Sequence, residues 1–322
     1  MEKKSEEAVK KISIFGIQNA GKTSIITVLR RQFDLLSKLK PTVKVERTFL
    51  DILGKDILVW DYGGQEKYRK EYLESPNRYF TEINTIFYVI DIQDPDLLGS
   101  NIMYFDGLYK RAKKFSPDAK FVFLFHKLDP DLKLPQNAIQ LQNRFLDAVS
   151  YHFEEDEKEY QSFRTSIYNP ISIIKAFSQS LITNEEIRKN VSAILESFCK
   201  EYNLLFASSL SKNFYELGYY IKENFEEEYP ETLHAIFNDI HKNLDHWIDP
   251  TISPRKQWGS IGVLNTIYAF QNKDITIPIM SILAFDASVK ETEQTLQGAL
   301  DELNEELVKI LKNLEVAEIL EL

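Results

Sequence analysis

Cysteine is almost missing from this chain: among 322 residues Cys199 stands alone. No intrachain disulfide can form, so packing alone holds the fold, and a reducing compartment is the expected setting. Cys199 itself reads as a small half-buried hydrophobe on a helix. Long apolar runs are also missing. No stretch approaches the ~18 consecutive apolar residues of a membrane-spanning helix. The N-terminus Met1-Glu2-Lys3-Lys4-Ser5-Glu6-Glu7 lacks the apolar core of a signal peptide. Glu2 rules out myristoylation at that position, and Leu320-Glu321-Leu322 is no prenylation box. The expectation is a cytoplasmic protein with no direct membrane anchor, touching membranes only through partners. Basic charge is in deficit as well, with 39 Lys+Arg against 49 Asp+Glu for a net charge of −10. That balance argues against nucleic acid as the main partner, because a phosphate backbone needs a basic surface. It leaves room for a local basic pocket holding a small phosphate ligand.

What is present is globular: 43% hydrophobic and 27% charged residues, in a chain long enough for two domains. The first half alternates short apolar runs with helix-like stretches. Residues 11–15 (KISIF) read as a strand running into a Gly-containing loop, and 49–53 with 56–61 as a strand pair turning at Leu53-Gly54-Lys55. Residues 85–91 (TIFYVID) and 120–125 (KFVFLF) are continuous apolar runs of the kind buried on both faces of a parallel sheet. Helical spacing appears over 23–33 and 139–153, and 154–160 (EEDEKEY) is a solvated charge run. Alternating β and α elements predict an α/β domain with a mostly parallel central sheet wrapped by helices.

After a strand at 163–167 and a helix at 171–181 the pattern changes, and the boundary is set at 184. The second half starts with a helix. Strands are expected at 204–209 and 214–219, then a helix whose apolar stripe is Leu233, Ile236, Phe237, Ile240, Leu244 and Trp247. Strands at 261–270 and 275–285 follow, joined by a turn at 271–274. An acidic helix carrying Leu296, Leu300, Leu303, Leu307, Ile310 and Leu314 closes the chain. Its spacing could seed a coiled coil; at under three heptads, packing on its own sheet is the favoured reading. This half is a small α/β sandwich without an evident catalytic constellation.

The chemistry concentrates in the first half. Gly16-Ile17-Gln18-Asn19-Ala20-Gly21-Lys22-Thr23 fits G-x-x-x-x-G-K-[ST] between a strand and a helix. Glycines let the backbone wrap phosphates and present successive N–H groups at a helix N-terminus. Gly16, Gln18, Asn19, Ala20, Gly21, Lys22, Thr23 and Ser24 are therefore candidate phosphate-site residues, with Lys22 bridging the outer phosphates and Thr23 giving its hydroxyl to magnesium. Asp61 ends a strand where a carboxylate can reach that metal, usually through water. Gly64 can offer its N–H to a terminal phosphate, and Gln65 can orient an attacking water. Thr42, in a loop between these motifs, can close on magnesium and the last phosphate. In Phe125-His126-Lys127-Leu128-Asp129, Asp129 can accept from guanine N1–H and its exocyclic amine, a pattern adenine lacks. Lys127 can lay its stem over the base, and His126 stands where many guanine sites carry Asn. The segment Phe163-Arg164-Thr165-Ser166-Ile167 can supply backbone N–H groups to guanine O6, making Ser166 and Ile167 base-site candidates.

These five segments resemble, in order over residues 11–170, the motif set of Ras-superfamily GTPases. Trp60-Asp61-Tyr62-Gly63-Gly64-Gln65 is similar to both Arf and Rag families. His126-Lys127-Leu128-Asp129, Phe163-Arg164-Thr165-Ser166-Ile167 and the Ser116-Pro117-Asp118-Ala119-Lys120 run favour Rag. The resemblance implies a GTPase domain over 1–184 and a roadblock-like dimerisation domain over 185–322. It implies GTP/GDP as ligand, Mg2+ as cofactor held by Thr23, Thr42 and Asp61, and Gln65 as the catalytic residue. It also implies homo- or heterodimerisation, activating and exchange proteins, and a role in nutrient-linked signalling or as a scaffold-bound switch. Arg47, Arg69 and Arg78 lie near the switches, and none is a candidate built-in arginine finger, so slow hydrolysis is expected. The loop at 248–259 stands out as insertion-like. Three alternatives stay open: a non-catalytic nucleotide-binding scaffold, an Arf-like trafficking GTPase with an appended domain, and an ATPase on the same phosphate loop.

Overall fold

The computed structural model describes residues 10–52, 55–129, 135–181, 185–211, 216–223, 256–272, 275–288 and 290–312, with 225, 235, 236 and 239. The chain divides into two compact units, Met1–Leu50 with Asp56–Ala176, and Asp51–Lys55 with Phe177–Leu322. The division falls inside the helix Pro170–Leu181, whereas the sequence sets it at 184.

The first unit is built on a six-stranded sheet of order β2-β3-β1-β4-β5-β6. Its strands are β1 Lys11–Gly16, β2 Val45–Ile52, β3 Lys55–Tyr62, β4 Thr85–Asp91, β5 Lys120–His126 and β6 Tyr160–Thr165. β1 pairs parallel with β3 and β4, and β4–β5 and β5–β6 are parallel too. The continuous apolar runs have their expected cause: consecutive residues Phe87, Tyr88 and Val89 are all fully buried, so both faces of the sheet are covered. Much of the covering is aromatic. Phe15 stacks on Tyr62 with ring centroids 3.9 Å apart and on Phe80 at 5.3 Å. Further along the same cluster Tyr88, Phe105, Phe123 and Phe145 meet edge-on or stacked.

Helices α1 Lys22–Leu29, α2 Glu66–Glu74, α3 Pro76–Tyr79, α4 Leu98–Phe115 and α5 Pro135–Glu155 connect these strands, and α6 Pro170–Leu181 follows β6. α1 is shorter than the 23–33 periodicity suggests. Arg31 takes the left-handed conformation (φ 59°), its N–H bonding Val28 O at 2.8 Å while Gln32 N–H bonds Thr27 O at 3.0 Å. That pair of bonds is a Schellman stop. The chain then winds as a 3-10 turn, Phe33–Lys38, before the extended segment 39–44.

The second unit opens with α7 Glu185–Glu201. Its five-stranded sheet has the order β8-β7-β11-β10-β9, with every neighbouring pair antiparallel. The strands are β7 Phe206–Ser211, β8 Glu216–Ile221, β9 Lys256–Trp258, β10 Ile261–Asn272 and β11 Ile275–Asp286. The last helix, α8 Lys290–Lys312, packs on β10 and α7 and buries Leu296, Leu303 and Leu307. Part of the insertion-like loop is structural: residues 256–258 are β9, with Trp258 in register with Ile261. Residues 248–255 of that loop, the turn positions Leu53, Gly54, Lys273 and Asp274, Phe214 and Leu314 lie outside the described residues. Of the expected 233–247 stripe, only Ile236 is described; it is helical and buried. No helix among the described residues is long and apolar enough to cross a membrane.

Candidate functional site

The site forms where the C-terminal ends of β1, β3, β4 and β5 converge, the edge at which open α/β sheets leave a crevice. β1 ends at Gly16, and the loop turns through Asn19 (φ 63°) and Gly21 (φ 95°) into α1. Gly21 is the N-cap and has no side chain to occupy the first-turn N–H groups. A side chain there would collide: a Cβ on Gly21 would sit 2.4 Å from His126 Cδ2. Lys22 is buried, its Nζ donating to the carbonyls of Gly16 (3.0 Å) and Ile17 (2.8 Å). Burial pushes its pKa down to about 8, with Asp61 opposing and Arg69 adding to the shift.

Three oxygens meet beside it. Thr23 Oγ1 donates to Asp61 Oδ2 at 2.6 Å, Thr42 Oγ1 to the same atom at 2.9 Å, and the two hydroxyls are 2.8 Å apart. Thr42 thus comes across from the 39–44 segment. That segment is fastened twice more at Lys44 O, which accepts from Gly63 N–H (2.7 Å) and from the Tyr72 hydroxyl (2.6 Å). Gly64 passes so near the phosphate loop that a Cβ would lie 2.4 Å from the Ile17 carbonyl. Gln65 is the N-cap residue of α2 and lines, with Gln18, Asn19, Lys22, Thr42 and Lys127, a cavity of about 510 Å3. Gly21, Thr23, Ser24 and Gly64 line it as well; Gly16 and Ala20 are buried in the turn behind.

The arrangement fits a magnesium ion. One carboxylate and two hydroxyls are hard oxygen donors of the kind completed by phosphate oxygens and water. Asp61 is 3% exposed, and its Oδ1 is buried with no hydrogen-bond partner. An unpartnered buried carboxylate oxygen is costly, and a cation removes that cost.

The candidate base end is a second cluster. Asp129 Oδ1 accepts from Ser166 Oγ at 2.5 Å and Oδ2 from Gln93 Nε2 at 3.0 Å. Lys127, in the left-handed region (φ 68°), pairs its Nζ with Asp91 Oδ2. Two residues stand differently from the sequence reading. His126 turns away from the cavity: it is 2% exposed, packs on Gly21, and its Nδ1 is 2.9 Å from Thr165 Oγ1. Burial first, and Lys127 second, pull its pKa down to about 4, so the ring is neutral. Ser166 contributes its hydroxyl, because its N–H already donates to Ser172 Oγ (3.0 Å); residues 163–165 are paired with β5. Ile167, next along, is half-buried. The three arginines near the switches are all engaged. Arg69 Nε donates to Gly64 O at 3.0 Å, while Arg47 covers the Trp60 ring and Arg78 the Tyr79 ring.

Sequence reasoning missed Gln93, Asp91 and Tyr72. A signal existed for the first two. Asp91 ends β4 and Gln93 lies two residues beyond it, and consecutive strands tend to be neighbours, which sets the end of β4 beside the end of β5 and the loop that carries Asp129.

The chain resembles known proteins. A family model described as the Gtr1/RagA G protein conserved region matches residues 11–212, reaching through α7 and β7 of the second unit. The GTP-binding protein GTR1 of Saccharomyces cerevisiae is 30% identical over 183 residues, covering 54% of this chain and 58% of that protein. Ras-related GTP-binding protein B of Rattus norvegicus is 28% identical over 177 residues, covering 51% and 44%. This chain therefore spans about half the length of the curated relatives it matches. Among solved structures, the Arl6 BBS3 small GTPase of Trypanosoma brucei with bound GppNp is 18% identical at a TM-score of 0.41, covering 53% of this chain and 94% of that one. With the family region spanning well over half of its length, the chain belongs to the Gtr1/RagA family of G proteins, the Rag-type small GTPases.

Proposed function

We propose that this chain is a magnesium-dependent GTP-binding switch that hydrolyses GTP slowly by itself. The observation that carries the reading is the meeting of Thr23, Thr42 and Asp61 on a single carboxylate oxygen beside the buried Lys22. Loop amides and Lys22 bind the phosphates, and Asp129 reads the guanine edge. Thr23 and Thr42 would hold the metal with Asp61, whose charge orients the two hydroxyls. Such an ion would supply positive charge to offset that of the phosphates. Gln65, at the start of α2 on the cavity wall, orients the attacking water.

Closure of the 39–44 segment is the switching element. It is held by Thr42 on one side and by Lys44 O on the other, so the γ-phosphate that recruits Thr42 also decides whether the Gly63 and Tyr72 bonds persist. Turnover in isolation is low, because Arg47, Arg69 and Arg78 are all committed elsewhere, and an activating protein supplies the missing cation.

Residues 185–322 serve as a roadblock-like dimerisation module in a cytoplasmic protein, recruited to membranes through partners. The order of helix, strands and closing helix in the second unit supports this part. Light scattering on the full chain tests dimerisation, a strict monomer at high concentration refuting it. For the switch itself, the nucleotide released on denaturing the purified protein is identified by mass spectrometry, and single-turnover hydrolysis is compared with that of Gln65→Leu. GDP or GTP with a rate that falls in the variant supports the reading. A bound adenine nucleotide overturns the assignment of Asp129, and equal rates overturn that of Gln65.

A further inference from the structure

We infer that Gln93 is the positioning residue that makes Asp129 a reader of guanine, a role that rests on the nucleotide-binding reading above. This side chain bridges the turn after β4 and the loop after β5. Gln93 Nε2 donates to Lys127 O at 2.7 Å and to Asp129 Oδ2 at 3.0 Å. Both partners are pure acceptors, so only the NH2 side of the amide can face them. The turn is itself fixed from behind. Gln93 N–H donates to Asp91 Oδ1 at 2.9 Å, the other oxygen of Asp91 holds Lys127 Nζ, and Ile92 N–H bonds His126 O at 3.1 Å. An exposed glutamine is normally free to rotate; this one is pinned at its backbone and at its amide.

The consequence follows from counting acceptor sites on Asp129. An ionised carboxylate has about four lone-pair directions, two on each oxygen. Ser166 Oγ takes one on Oδ1 and Gln93 Nε2 takes one on Oδ2. One direction remains on each oxygen, and guanine presents two parallel donors, N1–H and the exocyclic amine. The two flanking donors fix the carboxylate plane before the base arrives, so binding does not have to freeze that torsion. Ser166 comes from the end of β6 and Gln93 from the end of β4, so the strand order β4-β5-β6 places one support on either side of β5. Without Gln93, Asp129 is supported on one oxygen only.

The test uses the full chain and competition binding of GDP and ADP, measured for wild type, Gln93→Ala, Gln93→Glu and Asp129→Asn. Gln93→Ala is expected to weaken GDP roughly 5- to 20-fold, around the low end for a hydrogen bond to a charged acceptor because the site is exposed. ADP affinity stays unchanged. Gln93→Glu sets a second carboxylate against Asp129, which also faces Asp91 and Lys127. GDP binding should fall further at pH 8 and recover severalfold by pH 5.5, where the new pair shares a proton. Wild type and Gln93→Ala should show only the roughly twofold rise that full charging of Lys22 gives over that range. A purely structural role would give equal losses at both pH values and for both nucleotides. If wild type prefers GDP and the Gln93 variants match it, the role of Gln93 is overturned while the base assignment stands. If wild type does not prefer GDP to ADP, or Asp129→Asn leaves that preference intact, the base reading itself falls and the role of Gln93 falls with it.

Discussion

Acidification should loosen the first unit through one residue, His126. Its ring is 2% exposed, wedged between Gly21 and Thr165 Oγ1, and protonation there is opposed by lost hydration and by Lys127. The folded pKa is about 4 against an ordinary 6.5. Above pH 6.5 both folded and unfolded chains carry neutral imidazole, and His126 contributes nothing to the pH dependence. Between 6.5 and about 4 the unfolded chain takes up a proton that the folded chain refuses, so stability falls as pH falls. The slope is about 1.4 kcal/mol per pH unit, accumulating to about 3 kcal/mol across the window before levelling off. Carboxylates titrate in the same range, so the informative quantity is the difference between wild type and His126→Gln, which keeps a polar group near Thr165 but cannot charge. The assay is urea unfolding from pH 7.5 to 4, read from hydrogen exchange of the β1 and β5 amides so that the first unit is followed by itself. Wild type should lose stability relative to the variant with the slope above. Parallel curves for the two proteins would refute the buried, neutral histidine.

Other perturbations bear on the rest of the molecule. Gly64→Ala would place a Cβ 2.4 Å from the Ile17 carbonyl, a backbone atom that cannot swing aside. The expected loss is roughly 1–3 kcal/mol in urea unfolding, and an unchanged midpoint would disprove the close approach of the two loops. The Lys22 pKa of about 8 means its charge fades as pH rises through that value, so GDP affinity should drop roughly fivefold to tenfold between pH 7.5 and 9. A flat profile over that range would refute the lowered pKa of Lys22. In the second unit Leu307 is fully buried on α8, and Leu307→Ala should cost roughly 2–5 kcal/mol in the unfolding of that unit. A cost near zero would mean that α8 does not close its sheet.

Several features were readable in the chain because they are local. Residues 86–90 of β4 are apolar at consecutive positions, as burial on both faces of a sheet allows. The phosphate loop was legible because glycine spacing, Lys22 and a strand before it belong to one contiguous segment. Other expectations missed by a few residues for local reasons that a periodicity does not register. The helix expected over 23–33 stops at Leu29 because Arg31 adopts a left-handed turn, an event that hydrophobic spacing does not encode. Part of a loop that looked like an insertion is β9, because three residues suffice to pair with β10.

By itself, then, the sequence picked out the short segments that are candidates for phosphate, metal and base chemistry, since each needs particular side chains at fixed spacing on one strand end or loop. Only the tertiary structure decided how those side chains face. His126 and Lys127 are adjacent in the chain, yet one braces Gly21 from behind and the other lines the cavity, because β5 ends at His126 and Lys127 turns the backbone through the left-handed region (φ 68°). Asp129 meets Ser166 and Gln93 only because parallel pairing brings the ends of β4, β5 and β6 together across 36 and 37 residues of sequence. Those contacts depend on sheet order, a property of the packed whole that no single segment contains.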